Sequence, residues 1–499
     1  VRLRPTAAGL VVAALLLGGC TSDGNDDPSA DPSSAPAGND ATAAGTVVPA
    51  GGTPTPEADD PRLDAAVSDT TEDRVYPRVG DPGVDALSYD LDLAWTPRTH
   101  LLTAVETVVV RATADADHLQ LDLAKPLEVS AVTVDGEDAT YDHPGKDLVI
   151  HTDVGADERY VLEISYAGVP RPVAAPTTRS DFSTTGWTVD SDDGVWTMQE
   201  PFGAYSWYAV NDQPGDKAFY SFTIAAPSPM VGVANGELTS RTTERGTTVT
   251  RWELDRPAAS YLVTIAIGDY DRTKDRSGNG VPLSYWTPRS APFTVKGLRQ
   301  TADALDWVEG KLGPYPFDSL GILLVDSRSG METQTMITLG TTDYTTSPEV
   351  IVHEIVHQWY GDEVTPADWR DVWMNEGMAM YLQGVYQAET SGQTVDELMD
   401  YWATFEPRMR RESGPPHDYD PATFGEGNIY YGPALMWHEL RQRIGDAEFW
   451  RLVREWPTVH QYANADYDDI TGWWSEQTGL DLTSFFDAWL NGATTPKRS

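Results

Sequence analysis

Apolar and polar side chains alternate with period two through the first half of the folded chain. Tyr89, Leu91, Leu93 and Trp95 alternate with Asp90, Asp92 and Ala94, and Leu119, Leu121 and Leu123 with Gln120 and Asp122. Leu127, Val129 and Ala131 continue the pattern. The phase then slips by one, so that Val132 and Val134 flank Thr133 before an Asp135-Gly136 turn. The slip predicts either a bulge or a strand covered on both faces. Residues 161–166 form a further short strand. Such runs, separated by turn residues, predict an antiparallel β domain, a sandwich or saddle, over residues 75–272. The pattern then changes to helical. Ser347-Pro348-Glu349 places a capping hydroxyl, a first-turn proline and an early acid ahead of Val350-Ile351-Val352, and Gly361 can end that helix. Residues 369–388 predict a second helix, and Asp481 opens a last capped one that runs through Leu490. The chain is therefore α+β and multidomain, with a mainly helical region at 273–499.

The first 74 residues fit neither pattern. Arg2 and Arg4 precede an apolar run at 10–17, too short to span a bilayer, and small residues lead to Cys20. This predicts a signal peptide over 1–19. Leu17-Gly18-Gly19-Cys20 resembles a bacterial lipoprotein box, which implies cleavage before Cys20, a lipid on its sulfur, and a place at the outer face of a bacterial membrane. Residues 20–74 are rich in Asp, Ser, Pro, Ala, Gly and Thr. They predict a disordered tether of roughly 40 Å root-mean-square span.

Composition narrows the chemistry. The 499 residues carry 77 acids against 35 bases, a net charge of −42. That excludes a nucleic-acid partner, which needs clustered Lys and Arg. Cys20 is the single cysteine, so neither an internal disulfide nor a multi-cysteine metal site is available.

Histidine spacing carries the strongest chemical signal. His353 and His357 stand four apart, one above the other on a helix face, as two imidazole ligands of one tetrahedral zinc require. Glu354 between them is placed to act as general base, completing the H-E-x-x-H arrangement. Glu376 follows His357 after eighteen residues, enough for a turn and a returning helix. Two His and one Glu hold one Zn2+ and leave a fourth position open for water. His438 reads as an ordinary helix residue.

His353-Glu354-Ile355-Val356-His357, with Glu376 in Trp373-Met374-Asn375-Glu376-Gly377-Met378-Ala379, resembles the aminopeptidase N family of gluzincin zinc peptidases. Ser329-Gly330-Met331-Glu332-Thr333 stands where that family carries Gly-Ala-Met-Glu-Asn. Thr197-Met198-Gln199-Glu200-Pro201, with Trp207 and Asn211-Asp212-Gln213-Pro214, resembles the edge of the family's first domain facing the active site. Ile429-Tyr430-Tyr431-Gly432-Pro433-Ala434 resembles its Tyr-x-Lys-Gly segment. The resemblance covers about residues 80–490 and implies a thermolysin-like catalytic domain. It also implies roles: Glu332 and Glu200 would bind the free amine of a peptide, with Gly330 and Met331 beside them, and Tyr430 would stabilise an oxyanion, Tyr431 being the rival. Three positions depart from the family: Ser329, Thr333 and Gly432-Pro433. The chain also ends where many relatives carry a closing helical domain, which leads to the expectation of a two-domain form with an open cleft. The function implied is zinc-dependent removal of N-terminal residues from peptides. Its alternatives are a thermolysin-type endopeptidase and a non-catalytic peptide-binding lipoprotein.

Overall fold

The computed structural model describes Pro49, residues 57–290 and residues 295–498. The expected signal peptide, Cys20 and the first part of the expected tether lie outside the described residues.

The first domain is built on an eight-stranded sheet. Its order is Glu237–Glu244, Thr247–Ala259, Lys217–Pro227, Val84–Thr96, Leu101–Ala112, Arg159–Gly168, Leu127–Val134 and Glu137–Asp138. Neighbours are antiparallel with one exception. Val84–Thr96 runs parallel to Lys217–Pro227, pairing Tyr89 with Tyr220 and Leu91 with Phe222. The predicted antiparallel sheet is thus mixed at its centre. Asp90 and Asp92, the polar partners in that alternation, are only 9% and 5% exposed, because both faces of this strand are covered. The phase slip near residue 130 is a bulge: Val129 pairs with Tyr166, but Ala131 pairs with Ser165. Asp135 and Gly136 both take positive φ, 51° and 82°, and close the hairpin, as a two-residue turn matched to strand twist demands.

A five-stranded sheet (Val231–Ala234, Ile265–Gly268, Val195–Met198, Thr184–Val189, Val173–Ala174) and a three-stranded one (Ala116–Asp122, Asp147–Val154, Thr140–Asp142) complete this domain. Trp95, Trp187, Trp207 and Tyr208 lie in its core. The short strand Val195–Met198 ends two residues before Glu200.

Residues 57–74, expected within the tether, belong to the folded body. Asp60 caps a short 3-10 turn, Pro61–Ala66, whose Leu63 and Ala66 pack with Leu87, Val109 and Phe219 on the outer face of the large sheet. Asp73 Oδ2 accepts from the Trp369 N–H at 2.8 Å, and Arg74 pairs with Asp368 and Asp371. Few apolar side chains suffice here, because ion pairs and backbone hydrogen bonds fix the rest. An averaged composition does not reveal those partners.

The second domain begins with a five-stranded sheet: Tyr270–Arg276, Pro282–Pro288, Leu320–Val325, Met336–Gly340 and, at the edge, Gly330–Met331. Its three middle strands are parallel. Helices Gln300–Leu312, Pro348–His357, Trp373–Ser391 and Asn428–Ile444 form the layer that holds the chemistry, and helices to Leu490 close the core. The last of these, Thr483–Leu490, starts two residues after Asp481, whose Oδ1 accepts from the Thr483 N–H.

Candidate metal centre

Each element of the site has a local cause. Ser347 Oγ accepts from the Val350 N–H, and Pro348 occupies the first helical position. The helix Pro348–His357 ends at His357, with Gln358 as its cap, one turn before Gly361. Val352, Ile355 and Val356 are fully buried, so the helix is fixed against the sheet and its histidine face is held in place. The second helix, Trp373–Ser391, follows a separate 3-10 turn, Trp369–Asp371, and ends at Gly392 in the left-handed region. Glu376 therefore lies in its first turn, where a carboxylate meets the positive helix end.

The three expected ligands meet. Glu376 Oε2 stands 3.1 Å from His353 Nε2 and 3.4 Å from His357 Nε2, and all three side chains are buried. His357 Nδ1 lies 3.1 Å from the Tyr360 carbonyl, which can only accept. In the neutral ring the proton is thereby placed on Nδ1 and the lone pair on Nε2. Burial opposes ionisation of Glu376, but His357 and His353 override it and lower its pKa. Burial likewise opposes protonation of His357, yet the Glu332 and Glu376 carboxylates raise its pKa well above the usual imidazole value. A carboxylate held ionised between two imidazole Nε2 atoms fits a zinc ion by donor type and number. Among the described residues, His353, His357 and Glu376 form one metal-capable group, and Glu332, Glu354 and His357 an overlapping one.

Around this centre lies an unusual density of acid. Glu354 is buried, and its pKa is raised well above the ordinary value, by burial first and then by Glu332. Glu332 is 4% exposed, and its Oε1 is buried with no hydrogen-bond partner. Burial raises its pKa too. Glu200 comes from the other domain; burial and then the Glu332 charge push its pKa well up. Gly330 sits against Glu354: a Cβ there would lie 2.7 Å from Glu354 Oε1. Met331 follows it on the edge strand, opposite Thr338.

The two adjacent tyrosines separate clearly. Tyr430 stacks on His353 with ring centroids 6.0 Å apart, which places it beside the triad. Tyr431 points elsewhere, edge-on to Trp402 and Phe405 at 5.2 and 4.9 Å. The approach of the Tyr430 helix depends on glycine. A Cβ on Gly377 would fall 2.3 Å from Pro433 Cβ. Pro433 and Gly377, side by side, thus let helix Asn428–Ile444 pack closely on the helix that carries Glu376. Gly432 lies over the buried Glu406–Arg410 ion pair, with Arg410 Nε donating to Glu406 Oε1 at 2.7 Å.

The remaining motif residues act as supports. Thr333 is buried, and its hydroxyl bonds Thr338 and the Met336 carbonyl within the loop that presents Glu332. Trp207 Nε1 donates to Gln199 Oε1 at 2.9 Å, and Asp212 accepts from the Gly203 N–H and Ser260 Oγ, bracing the segment around Glu200. His438 pairs with Asp396 at 2.9 Å, outside both metal-capable groups.

Two supports carried no sequence signal. Gln358 Nε2 donates to the Glu332 carbonyl at 2.8 Å while its Oε1 accepts from the Thr335 N–H at 3.0 Å. The residue after His357 therefore holds the Glu332 loop. Arg179, from a loop of the β domain, reaches Tyr430, with Nη1 3.4 Å from its hydroxyl oxygen.

Two histidines four apart on one helix and a glutamate from the next form a ligand set of catalytic zinc sites. Residues 85–262 match the peptidase M1 N-terminal domain model, and residues 297–489 match the peptidase family M1 domain model. The chain belongs to peptidase family M1. It is 26% identical over 450 residues to an aminopeptidase N of Streptomyces lividans, covering 82% of this chain and 50% of that one. A human glutamyl aminopeptidase is 26% identical over 68% of this chain and 38% of its own length. The chain thus spans half or less of the length of these curated relatives. Among solved structures, an M1 zinc metallopeptidase of Deinococcus radiodurans bound to a Tyr-Ser-Ala substrate is similar in fold. Its TM-score is 0.77 at 24% identity, over 86% of this chain and 99% of that one. A two-domain M1 zinc metallopeptidase bound to L-arginine gives 0.78.

Proposed function

We propose that this protein is a zinc aminopeptidase. The observation that carries the reading is the buried, unpartnered Glu332 Oε1 beside the triad, with Glu200 of the other domain within electrostatic reach. A buried carboxylate without a partner is costly, and a ligand ammonium relieves that cost. His353, His357 and Glu376 would hold the zinc. When bound, zinc supplies Lewis acidity that polarises the scissile carbonyl and makes water acidic. Glu354 takes the proton of the attacking water and returns it to the leaving amine. The Tyr430 hydroxyl donates to the developing oxyanion. Glu332 and Glu200 bind the peptide's ammonium, which sets the register of the scissile bond. The edge strand Gly330–Met331 offers backbone groups along which an extended peptide can lie.

The test is a panel of aminoacyl fluorogenic amides with matched N-acetylated peptides, with and without a zinc chelator. Chelator-sensitive cleavage confined to free amines is expected. Equal cleavage of blocked peptides would make it an endopeptidase. Zinc binding with no cleavage would leave a peptide-binding protein.

We also infer, from Leu17-Gly18-Gly19-Cys20 and the preceding apolar run, that the chain is cleaved and lipidated at Cys20 and held at the outer face of a bacterial membrane. Among the described residues no helix is long and apolar enough to cross a membrane. In this reading acyl chains on Cys20 supply the attachment, at about 0.8 kcal/mol per buried CH₂. Mass spectrometry of the N-terminal peptide from the native host reads this directly: a diacylglyceryl mass on Cys20 is expected, and an unmodified Cys20 would remove the inference.

A further inference from the structure

The contact between the β-domain loop and the Tyr430 helix is built in detail. Phe424 N–H donates to the Pro176 carbonyl at 3.0 Å, and Thr177 Oγ1 donates to the Phe424 carbonyl at 2.7 Å. Thr178 Oγ1 bonds Glu426 Oε1 at 2.5 Å. Residues 176–179 are thus strapped to residues 424–426, immediately before the helix Asn428–Ile444. Arg179 lies at the end of this strap. Its Nε and Nη2 donate to the two oxygens of Asp181 at 3.1 and 2.5 Å, and its Nη1 donates to the Gly425 carbonyl at 2.9 Å. The guanidinium carbon lies 4.5 Å from the centre of the Phe182 ring. Gly425 has φ 75°, and a Cβ there would press 2.8 Å from Phe182 and 3.4 Å from Arg179 Nη1. A guanidinium held by Asp181, Gly425 and Phe182 has its orientation fixed, and its Nη1 reaches the Tyr430 hydroxyl oxygen at 3.4 Å.

We propose that Arg179 is a positioning residue for the Tyr430 hydroxyl. The proposal rests on the aminopeptidase reading above, in which Tyr430 meets the oxyanion. A phenol has one proton and accepts through its oxygen. With Nη1–H donating to that oxygen, the Tyr430 O–H is left to point away from Arg179. The hydroxyl is then oriented before substrate arrives, and the donated hydrogen bond polarises it toward donation. Oxyanion stabilisation depends on such preorganised donors, which need no rearrangement as the reaction proceeds. The loop supplies from one domain the orientation of a group carried by the other. The same positive charge lies within electrostatic reach of Glu200, Glu354 and Glu376.

The experiment is a double-mutant cycle on Arg179→Met and Tyr430→Phe, with Arg179→Lys and Thr178→Val beside it. Zinc content and thermal midpoint are measured for every variant. Tyr430→Phe is expected to lower kcat about 100-fold, the loss of one oxyanion donor. Arg179→Met is expected to lower kcat about tenfold with KM for a free-amine substrate within twofold. In the Tyr430→Phe background the same change should cost less than twofold, because the two residues act as one unit. Arg179→Lys should recover part of the loss, and Thr178→Val, which loosens the strap without touching the guanidinium, should cost little. Equal losses from Arg179→Met in both backgrounds would overturn the proposal, as would an equal loss from Thr178→Val. A second readout separates this proposal from the reading beneath it. A phosphinic peptide that mimics the tetrahedral state should bind Arg179→Met about tenfold more weakly than the parent, while a free amino acid binds both equally. A parent enzyme that cleaves no free-amine substrate fails the aminopeptidase reading. A parent that cleaves it, with Arg179→Met unimpaired in kcat and in mimic binding, fails the positioning role alone.

Discussion

Glu354→Gln is expected to retain one zinc per chain and to lose turnover by about 10³- to 10⁴-fold. Glu354 lies outside the group formed by His353, His357 and Glu376, so the ligand set is untouched. The substitution is close to isosteric, which matters beside Gly330, where there is no room for an added Cβ. What changes is the capacity to accept a proton. An amide cannot take one from the attacking water, and general-base contributions of 10²–10⁴ are the usual scale. At about 1.4 kcal/mol per tenfold, the loss is about 4–6 kcal/mol of transition-state stabilisation. KM should move little, because Glu354 is assigned no part in holding the substrate amine. Single-turnover kinetics with metal analysis on the same sample checks this. Activity within tenfold of the parent would remove Glu354 as the base, and loss of metal would make its role structural.

The zinc triad is legible in sequence because its logic is local. Two histidines four apart share a helix face whatever the tertiary structure, and the Glu376 spacing fits a returning helix. Tyr430 and Tyr431 could not be ordered the same way. Neighbours on a helix point about 100° apart, and which of them turns to His353 depends on the partner helix. The approach permitted by Gly377 and Pro433 turns Tyr430 to His353, and Trp402 and Phe405 receive Tyr431. Arg179 left no trace, since the groups it reaches across the domains, the Gly425 carbonyl and the Tyr430 hydroxyl, lie some 250 residues along the chain. The β domain shows the same division. Alternation located the strands and flagged the bulge at Ser130. It could not give the direction of pairing between Val84–Thr96 and Lys217–Pro227, nor reveal that Asp90 and Asp92 are buried. Composition, averaged over residues 20–74, likewise concealed Leu63, Ala66 and the Arg74 ion pairs within the last eighteen.

Glu332→Ala should erase discrimination between free and blocked N-termini. The site gathers Glu200, Glu332, Glu354 and Glu376 around two imidazoles and Arg179, with desolvation raising the pKa of the first three. A substrate ammonium is the complementary charge, and an N-acetyl group offers none. Removing one partner of a buried ion pair costs about 3–5 kcal/mol, since the other charge is left without compensation. The expected fall in kcat/KM for an aminoacyl amide is therefore about 10²- to 10⁴-fold, carried mainly by KM. Activity on the matched N-acetylated peptide, small in the parent, should stay within twofold or rise. Glu332→Gln separates charge from shape: it keeps the side chain's volume and its hydrogen-bonding oxygen, yet should lose nearly as much as alanine. Glu200→Ala, farther toward the other domain, should lose less, because Glu332 remains to meet the amine. An unchanged ratio of free to acetylated cleavage in Glu332→Ala would refute the amine-binding role. If Glu332→Gln retained parental selectivity while Glu332→Ala lost it, the selectivity would belong to the shape of the loop held by Gln358, and charge pairing would not be its cause.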